Sequence, residues 1–401
     1  MSKQVRVCIV SNSDPVDPVP GGIDAFVGGI IRNGPSDIRF QLLGVTTDSA
    51  ARPVRQWTEC SVDGNPVDFF PVLALDDPGK RHRIPISLRS TLSMMLRPPK
   101  LQTDVLEFHR FELMFPFVKS QARKTAFVHQ NMQVLKGSVS DMRWKYAPKL
   151  YFWFEDRVVP HLDSLYAVRE DAAEDYRQRY PKLAPRIQFC PTWYDPRKFS
   201  NLNAEDRDLA AREIRQEFGF HESMKVILSV GRLDHQKDPL LLLKAFAALR
   251  QKRPDTGLVF IGEGVLRPDV EAVVREQSLG EVVKLPGLRN PDQIARYHNG
   301  ADVYCLSSVY EGMPISLLEA LACGTPAVST DAGEARRLIR EDNGVLVKDR
   351  TSDGLATALD IVLHTSYEPE AVANSVADYT PSQVLKPIYD NYRELGLDLG
   401  D

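Results

Sequence analysis

Twice along its length this chain sets short, wholly apolar runs against helical stretches, and that double alternation is its strongest constraint on folding. The first series opens with VRVCIV (5–10) and continues through FQLLGVTT, DFFPVLAL, DVLEFH and KTAFVH. The second comprises KVILSVGR (225–232), GLVFIGEG (257–264), VVKLPGL (282–288), ADVYCLSS (301–308) and AVST (327–330). Strands covered on both faces read as continuous apolar runs, and helices between them imply parallel sheets. The chain is therefore predicted to be α/β, with two doubly wound domains facing across a cleft. Its 401 residues exceed one ordinary core and fit two. The charged stretch NLNAEDRDLAAREIRQEFGFHES (201–223) is the expected linker, which gives domains of 1–200 and 201–379. A last helix within 380–396 is expected to pack back on the first domain.

A formal charge of −4 argues against nucleic acid as a partner, because phosphate neutralisation needs a basic face. No apolar run reaches bilayer-spanning length. The opening MSKQVRVCIVSNSD enters a strand at once, without the apolar region of a signal peptide. Five scattered cysteines (Cys8, Cys60, Cys190, Cys305, Cys323) suggest reduced thiols rather than a disulfide framework or a zinc site. The expected location is cytoplasmic. Residues 80–100, KRHRIPISLRSTLSMMLRPPK, mix Lys and Arg with aliphatic side chains. They suit either peripheral contact with an anionic inner membrane face or packing on the protein's own sheet.

Open α/β sheets bind ligands beyond the carboxyl ends of their strands, so residues just after strands are the site candidates. In SSVYEGMPISLLEALACGTPAVS (307–329), Glu311 precedes a helix and Glu319 lies inside it. Pro314 suits a first helical turn, and Ile315 and Ser316 then carry N–H groups with no intrahelical partner, a ready anion site. Leu317, Leu318 and Leu321 make the helix apolar nearly all round, with Glu319 roughly 40° from Ile315. A buried carboxylate there needs hydrogen-bond donors, which vicinal hydroxyls of a ribose or hexose would supply. A structural ion pair or an exposed edge would also fit.

VGRLDHQKDP ends a strand in Gly231 and Arg232, and Lys237 stands before a helix capped by Asp238 with Pro239 at its first position. Two cations on such a loop can clamp a diphosphate, or can simply be solvated charge. Gly21 and Gly22 open an early helix and either admit close approach of a ligand or form a plain turn. His109 and His129 each end a strand, and either could be a hydrogen-bonded core imidazole.

These motifs together resemble the family 4 retaining glycosyltransferases of the glycosyltransferase-B fold, built from two Rossmann-like domains. The resemblance covers nearly the whole chain and is strongest over 225–345, where SVGRLDHQKDPLLLLKAF, FIGEGVLRPDVEAVV, YEGMPISLLEALACGTPAVSTDAGEARRLI and NGVLV follow the family order and spacing. It implies that Glu311, beside Gly312, contacts donor-sugar hydroxyls and that Glu319 contacts the nucleotide ribose. It further implies that Arg232 and Lys237, with the backbone of Ile315 and Ser316, hold the diphosphate. Gly22 would approach the phosphates, and Leu288 would hold the base through backbone. His109, ending DVLEFH, would lie near the sugar, and His129 would line the sugar or acceptor pocket. Departures are Glu107, where many members carry another histidine on the sugar side, Thr192-Trp193-Tyr194-Asp195 in place of an Asn-Gly-Val-Asp turn, and Arg169 where serine is common.

The reaction so implied is transfer of a sugar from a nucleotide-diphosphate sugar to a hydroxyl of a glycan, a lipid-linked or a small-molecule acceptor, with retention. It suits polysaccharide or glycoconjugate biosynthesis. The departing phosphate takes the acceptor proton, so no metal and no cofactor beyond the donor are expected. The one Asp-x-Asp, Asp206–Asp208, reads as a helix start. A dinucleotide oxidoreductase is disfavoured because Arg267 occupies the third glycine position after Gly262 and Gly264. A phosphorylase lacks an identifiable pyridoxal lysine. A same-fold nucleotide-sugar epimerase and a non-catalytic nucleotide-sugar-binding protein remain as alternatives.

Overall fold

The computed structural model describes residues 4–17, 22–75, 84–129 and 148–397. The chain divides into two compact units, Met1–Pro191 with Pro381–Asp401, and Thr192–Thr380. The first holds β1 (Val5–Val10), β2 (Ile38–Thr46), β3 (Thr58–Val62), β4 (Asn65–Ala74), β5 (Val105–Phe108), β6 (Arg123–Val128), β7 (Ser164–Ala167) and β8 (Ile187–Phe189). They form one sheet in the order β3-β4-β2-β1-β5-β6-β7-β8. The second unit holds β9 (Lys225–Val230), β10 (Thr256–Ile261), β11 (Val283–Gly287), β12 (Val303–Leu306), β13 (Ala327–Thr330) and β14 (Gly344–Val347), ordered β11-β10-β9-β12-β13-β14. The strand order reverses between β1 and β5 in one sheet and between β9 and β12 in the other. These are the points where crevices open at strand ends.

The apolar runs become buried strands as expected, since Val226, Ile227 and Leu228 of β9 have no solvent exposure. Helix Pro239–Arg250 turns Leu242, Leu243 and Phe246 onto the Ile227 face of β9. Each such side chain contributes about 1.5–3 kcal/mol by leaving water.

Three expectations need correction. The first sheet is not wholly parallel, because β3 pairs antiparallel with β4, Val62 opposite Asn65. Asp63 (φ 50°) and Gly64 (φ 88°) make the two-residue hairpin turn, and Asp-Gly is the signal for that turn type. The charged stretch 201–223 is not a linker but helix Ala204–Phe218, capped by Asn203, whose side chain accepts from the Asp206 amide. Ile214 and Phe218 bury against Val226 and Tyr297 inside the second unit, and its charges are the solvent face of an amphipathic helix. Asp206 and Asp208 lie at its start. Finally, the last helical stretch is two helices, Pro381–Val384 and Lys386–Leu397. The longer one belongs to the first unit, where Tyr389 Oη donates to Ile30 O (2.8 Å) and Arg393 pairs with Asp37 (2.7 Å).

Helix Ile86–Leu96 has an inverted face. Ser87, Ser90, Thr91 and Met94 are buried, while Leu92, Met95 and Leu96 are 57, 50 and 74% exposed. The small polar side chains find partners inside: Thr91 Oγ1 donates to Glu112 O (2.9 Å) and Ser90 Oγ to Asn12 Oδ1 (2.9 Å). Residues 80–83 lie outside the described residues. Among those described, no helix is long and apolar enough to cross a membrane.

Candidate active site

In the second unit the loops after β9 and β12 are joined. Ser307 Oγ donates to the carbonyls of Lys237 (2.9 Å) and Asp238 (3.0 Å), the Val309 amide to Gln236 O (2.8 Å), and Gln236 Nε2 to Tyr310 O (3.2 Å). Asp238 caps helix Pro239–Arg250 in a left-handed conformation (φ 45°, ψ 64°) and pairs with Arg350. That strained cap turns the chain sharply and presents Lys237 to the neighbouring loop.

The consequence is an ion pair. Lys237 Nζ lies 2.7 Å from Glu311 Oε1, and Ser308 Oγ donates to the same oxygen at 2.5 Å. Glu311 is buried. The loop that carries it is clamped from behind by Gly333 (φ 59°), where a Cβ would lie 2.3 Å from Glu311 O, so any larger residue there would displace the glutamate. The Glu334 amide donates to Gly312 O (3.0 Å) and completes this support. On the other side, a Cβ on Gly262 would lie 1.9 Å from Gly231 O, so glycine is needed for the β9 and β10 ends to meet.

Arg232 is placed on the same loop but points outward, with its side chain 70% exposed and paired with Asp234 at 3.0 Å. Its Nη2 also donates to Gln236 Oε1 (3.3 Å). Sequence reasoning does not single out Gln236, Ser307 or Ser308. The only sequence signal for the serines is a polar pair closing an apolar strand, and Gln236 has none.

Helix Ile315–Ala322 starts at Pro314 without a side-chain cap, which leaves the first-turn amides for a ligand. Ile315 is 39% exposed, and Ser316 Oγ shares a hydrogen bond with the buried Tyr304 Oη (2.7 Å). Glu319 is mostly buried among Leu317, Leu318 and Ala320. Among the described residues no donor reaches its carboxyl group, and burial pushes its pKa from 4.5 to about 8. The ion pair considered for it is therefore not formed. Leu288, just beyond β11, is 73% exposed.

In the first unit, Gly22 is the first residue of helix Gly22–Arg32, and none of the described residues lies near where its side chain would stand. Gly21 lies outside the described residues. His109 and His129 follow the adjacent strands β5 and β6 and bond to each other, Nδ1 to Nε2, at 2.8 Å. The other ring nitrogen of His109 is 2.7 Å from Glu107 Oε1. Both nitrogens of His109 are thus occupied, so the expected sugar contact by this ring requires one of those bonds to break. Glu107, which stands where many relatives of the resembled family carry a sugar-side histidine, is wholly buried and bonded to Tyr392 Oη. A carboxyl group at an interior strand position satisfies its hydrogen bonds within the sheet's covering layers.

Residues 210–377 match the family model for glycosyl transferases group 1. Curated relatives include a D-inositol 3-phosphate glycosyltransferase of Corynebacterium urealyticum, 28% identical over 59% of this chain and 56% of that protein. Another is an N-acetylgalactosamine-N,N'-diacetylbacillosaminyl-diphospho-undecaprenol 4-alpha-N-acetylgalactosaminyltransferase of Campylobacter jejuni, 38% identical over 38% of this chain and 42% of that one. The chain spans about half the length of the curated relatives it matches. Among solved structures, it is similar to sucrose-phosphate synthase from Thermosynechococcus elongatus (17% identical, 99% of this chain and 97% of that one, TM-score 0.67). It is also similar to Anabaena HepE in complex with UDP and glucose (14% identical, 97% and 99% covered, TM-score 0.69). The two units, with their largely parallel sheets, therefore carry the fold of the glycosyltransferase-B enzymes, and residues 210–377 carry the sequence pattern of the group 1 glycosyl transferases.

Proposed function

We propose that the protein is a metal-independent, retaining glycosyltransferase that moves a sugar from a nucleotide-diphosphate sugar to a hydroxyl acceptor. The observation that carries this reading is the junction of the β9 and β12 loops, where Lys237 and Glu311 meet beside the uncapped start of helix Ile315–Ala322. Negative charge develops on the departing diphosphate, and a preorganised ammonium with backbone N–H groups stabilises it where it forms. Lys237 is the inner cation, and Arg232, exposed, is the outer one, able to leave its partner Asp234 for a phosphate. Glu311 serves two ends: it orients Lys237 and accepts from sugar hydroxyls. Glu319, whose carboxyl group no donor reaches among the described residues, takes the ribose hydroxyls. The phosphate oxygen receives the acceptor proton on the face it leaves, so the configuration is kept and no protein base is required.

A thermal-shift panel of uridine, guanosine and adenosine diphosphates and their sugars tests the donor assignment. One base is expected to stabilise the protein selectively, by about 2.7 kcal/mol at a hundredfold excess over Kd. Glu319→Ala is expected to abolish most of that shift. If no nucleotide or nucleotide sugar changes the melting temperature, the reading is wrong. Donor turnover with and without an acceptor then separates a transferase from a binding protein.

The inverted helix Ile86–Leu96 favours a second element of this reading. Its outward Leu92, Met95 and Leu96, with exposed Arg97 and Lys100 beyond, suit an anionic lipid surface on which a lipid-linked acceptor would be met. Flotation with phosphatidylglycerol vesicles at low salt is expected to carry the protein upward. Leu92→Ser with Leu96→Ser is expected to weaken binding about tenfold or more. Equal flotation of the double variant would remove the idea.

A further inference from the structure

One buried polar chain in the first unit is not used by the donor site. Tyr392, on helix Lys386–Leu397, reaches Glu107 Oε2 across 285 positions of sequence. Glu107 Oε1 is 2.7 Å from His109 Nε2, and His109 Nδ1 is 2.8 Å from His129 Nε2. The side chains of Glu107 and His109 are wholly buried, whereas His129 is partly exposed. Phe127 stacks on His109 at 5.2 Å, and Phe26 stands edge-on to both imidazoles at 5.9 and 5.1 Å. The rings are thus held in place from two sides.

We propose that Tyr392, Glu107 and His109 are positioning residues in a one-directional hydrogen-bonded chain, and that His129 is the imidazole that meets ligand oxygen, presenting Nδ1–H as a donor. The direction follows from counting protons. An isolated carboxylate with no cation on it is costly to bury, so Glu107 is held neutral. The Tyr392 hydroxyl donates to Oε2, and the single proton of the neutral carboxyl group then donates from Oε1 to His109 Nε2. That obliges His109 to carry its proton on Nδ1 and to donate to His129 Nε2, which leaves the His129 proton on Nδ1. Burial raises the Glu107 pKa well above its usual range, holds His109 down at about 3 and keeps His129 low, with Arg110 adding to both histidine shifts. The partner class is an acceptor oxygen, of a sugar hydroxyl or a phosphate. That class rests on the glycosyltransferase reading, whereas the chain itself does not.

The test is two-bond 1H–15N correlation on the full chain with labelled histidines, without substrate at neutral pH. Both His109 and His129 are expected as neutral Nδ1–H tautomers. Glu107→Gln keeps them, because its amide donates to His109 Nε2 and its carbonyl accepts from Tyr392. Glu107→Leu removes the donor, and His129 is expected to lose its single tautomer. With donor and acceptor, the leucine variant should lower kcat about tenfold, the cost of one net hydrogen bond in the transition state. Its donor KM should stay near wild type, and glutamine should restore the rate. A wild-type His129 found as the Nε2–H tautomer or as imidazolium overturns the proposal even if Glu107→Leu does not fold. Correct tautomers in a protein without transfer activity would instead sink only the functional reading.

Discussion

Lys237→Ala is expected to lower sugar-transfer turnover about 10²–10³-fold at saturating donor, the usual cost of one lost electrostatic donor at a developing anion. Lys237 Nζ is 2.7 Å from Glu311 in a part-buried pair, so the substitution also leaves a buried carboxylate with one fewer partner. Ser308 Oγ remains to hold it, and the stability loss should be about 1.5–3 kcal/mol, the range for a hydrogen bond to a charged group. The two effects separate experimentally. Glu311→Gln keeps the shape and restores a neutral partner for the truncated site. Combined with Lys237→Ala it should recover stability without recovering turnover. Arg232→Ala, at a side chain 70% exposed, should cost turnover but leave the melting temperature near wild type. A folded Lys237→Ala protein that turns over at the wild-type rate would remove the clamp assignment.

Glu319→Gln is expected to change how stability depends on pH. Burial raises the Glu319 pKa from 4.5 to about 8. Between those values the native state holds a proton that the unfolded chain has released. Stability therefore falls as pH rises through this window and levels off above it. The loss is on the order of 3 kcal/mol by pH 7. Glutamine stays neutral throughout, so the variant should be more stable than wild type at neutral pH and should show a flatter profile of denaturation free energy between about pH 5 and 8. Nucleotide binding should weaken in the same variant, because donating hydroxyls favour the ionised carboxylate. Calorimetry in buffers of different ionisation enthalpy should accordingly show proton release on binding to wild type and none to Glu319→Gln. Equal slopes in the two proteins would mean that Glu319 is solvated after all.

Much of the second unit is legible in the amino-acid sequence. Its strands are continuous apolar runs, Asp238-Pro239 announces a helix start, and the Glu311–Glu319 spacing stands on the loop after one strand and inside the next helix. The charged stretch 201–223 misleads because high charge reads as a linker. Only the periodic placement of Ala210, Ile214 and Phe218 makes it a packed helix. Helix Ile86–Leu96 misleads in a different way, since a sequence cannot say that serines and a threonine find hydrogen bonds inside while leucines face out. The β3–β4 hairpin has its signal in Asp63-Gly64, which the parallel-sheet reading passes over.

Taken by itself, the sequence determined the two alternating sheets, the places where strands give way to helices, and the residue types standing at those places. All of these depend on patterns within a dozen residues, where backbone geometry alone sets the period. The tertiary structure alone decided who pairs with whom: Lys237 with Glu311 rather than with solvent, and Tyr392 with Glu107 beneath two histidines. Such pairs join segments far apart in the chain, and their strength comes from burial, which only the assembled layers supply.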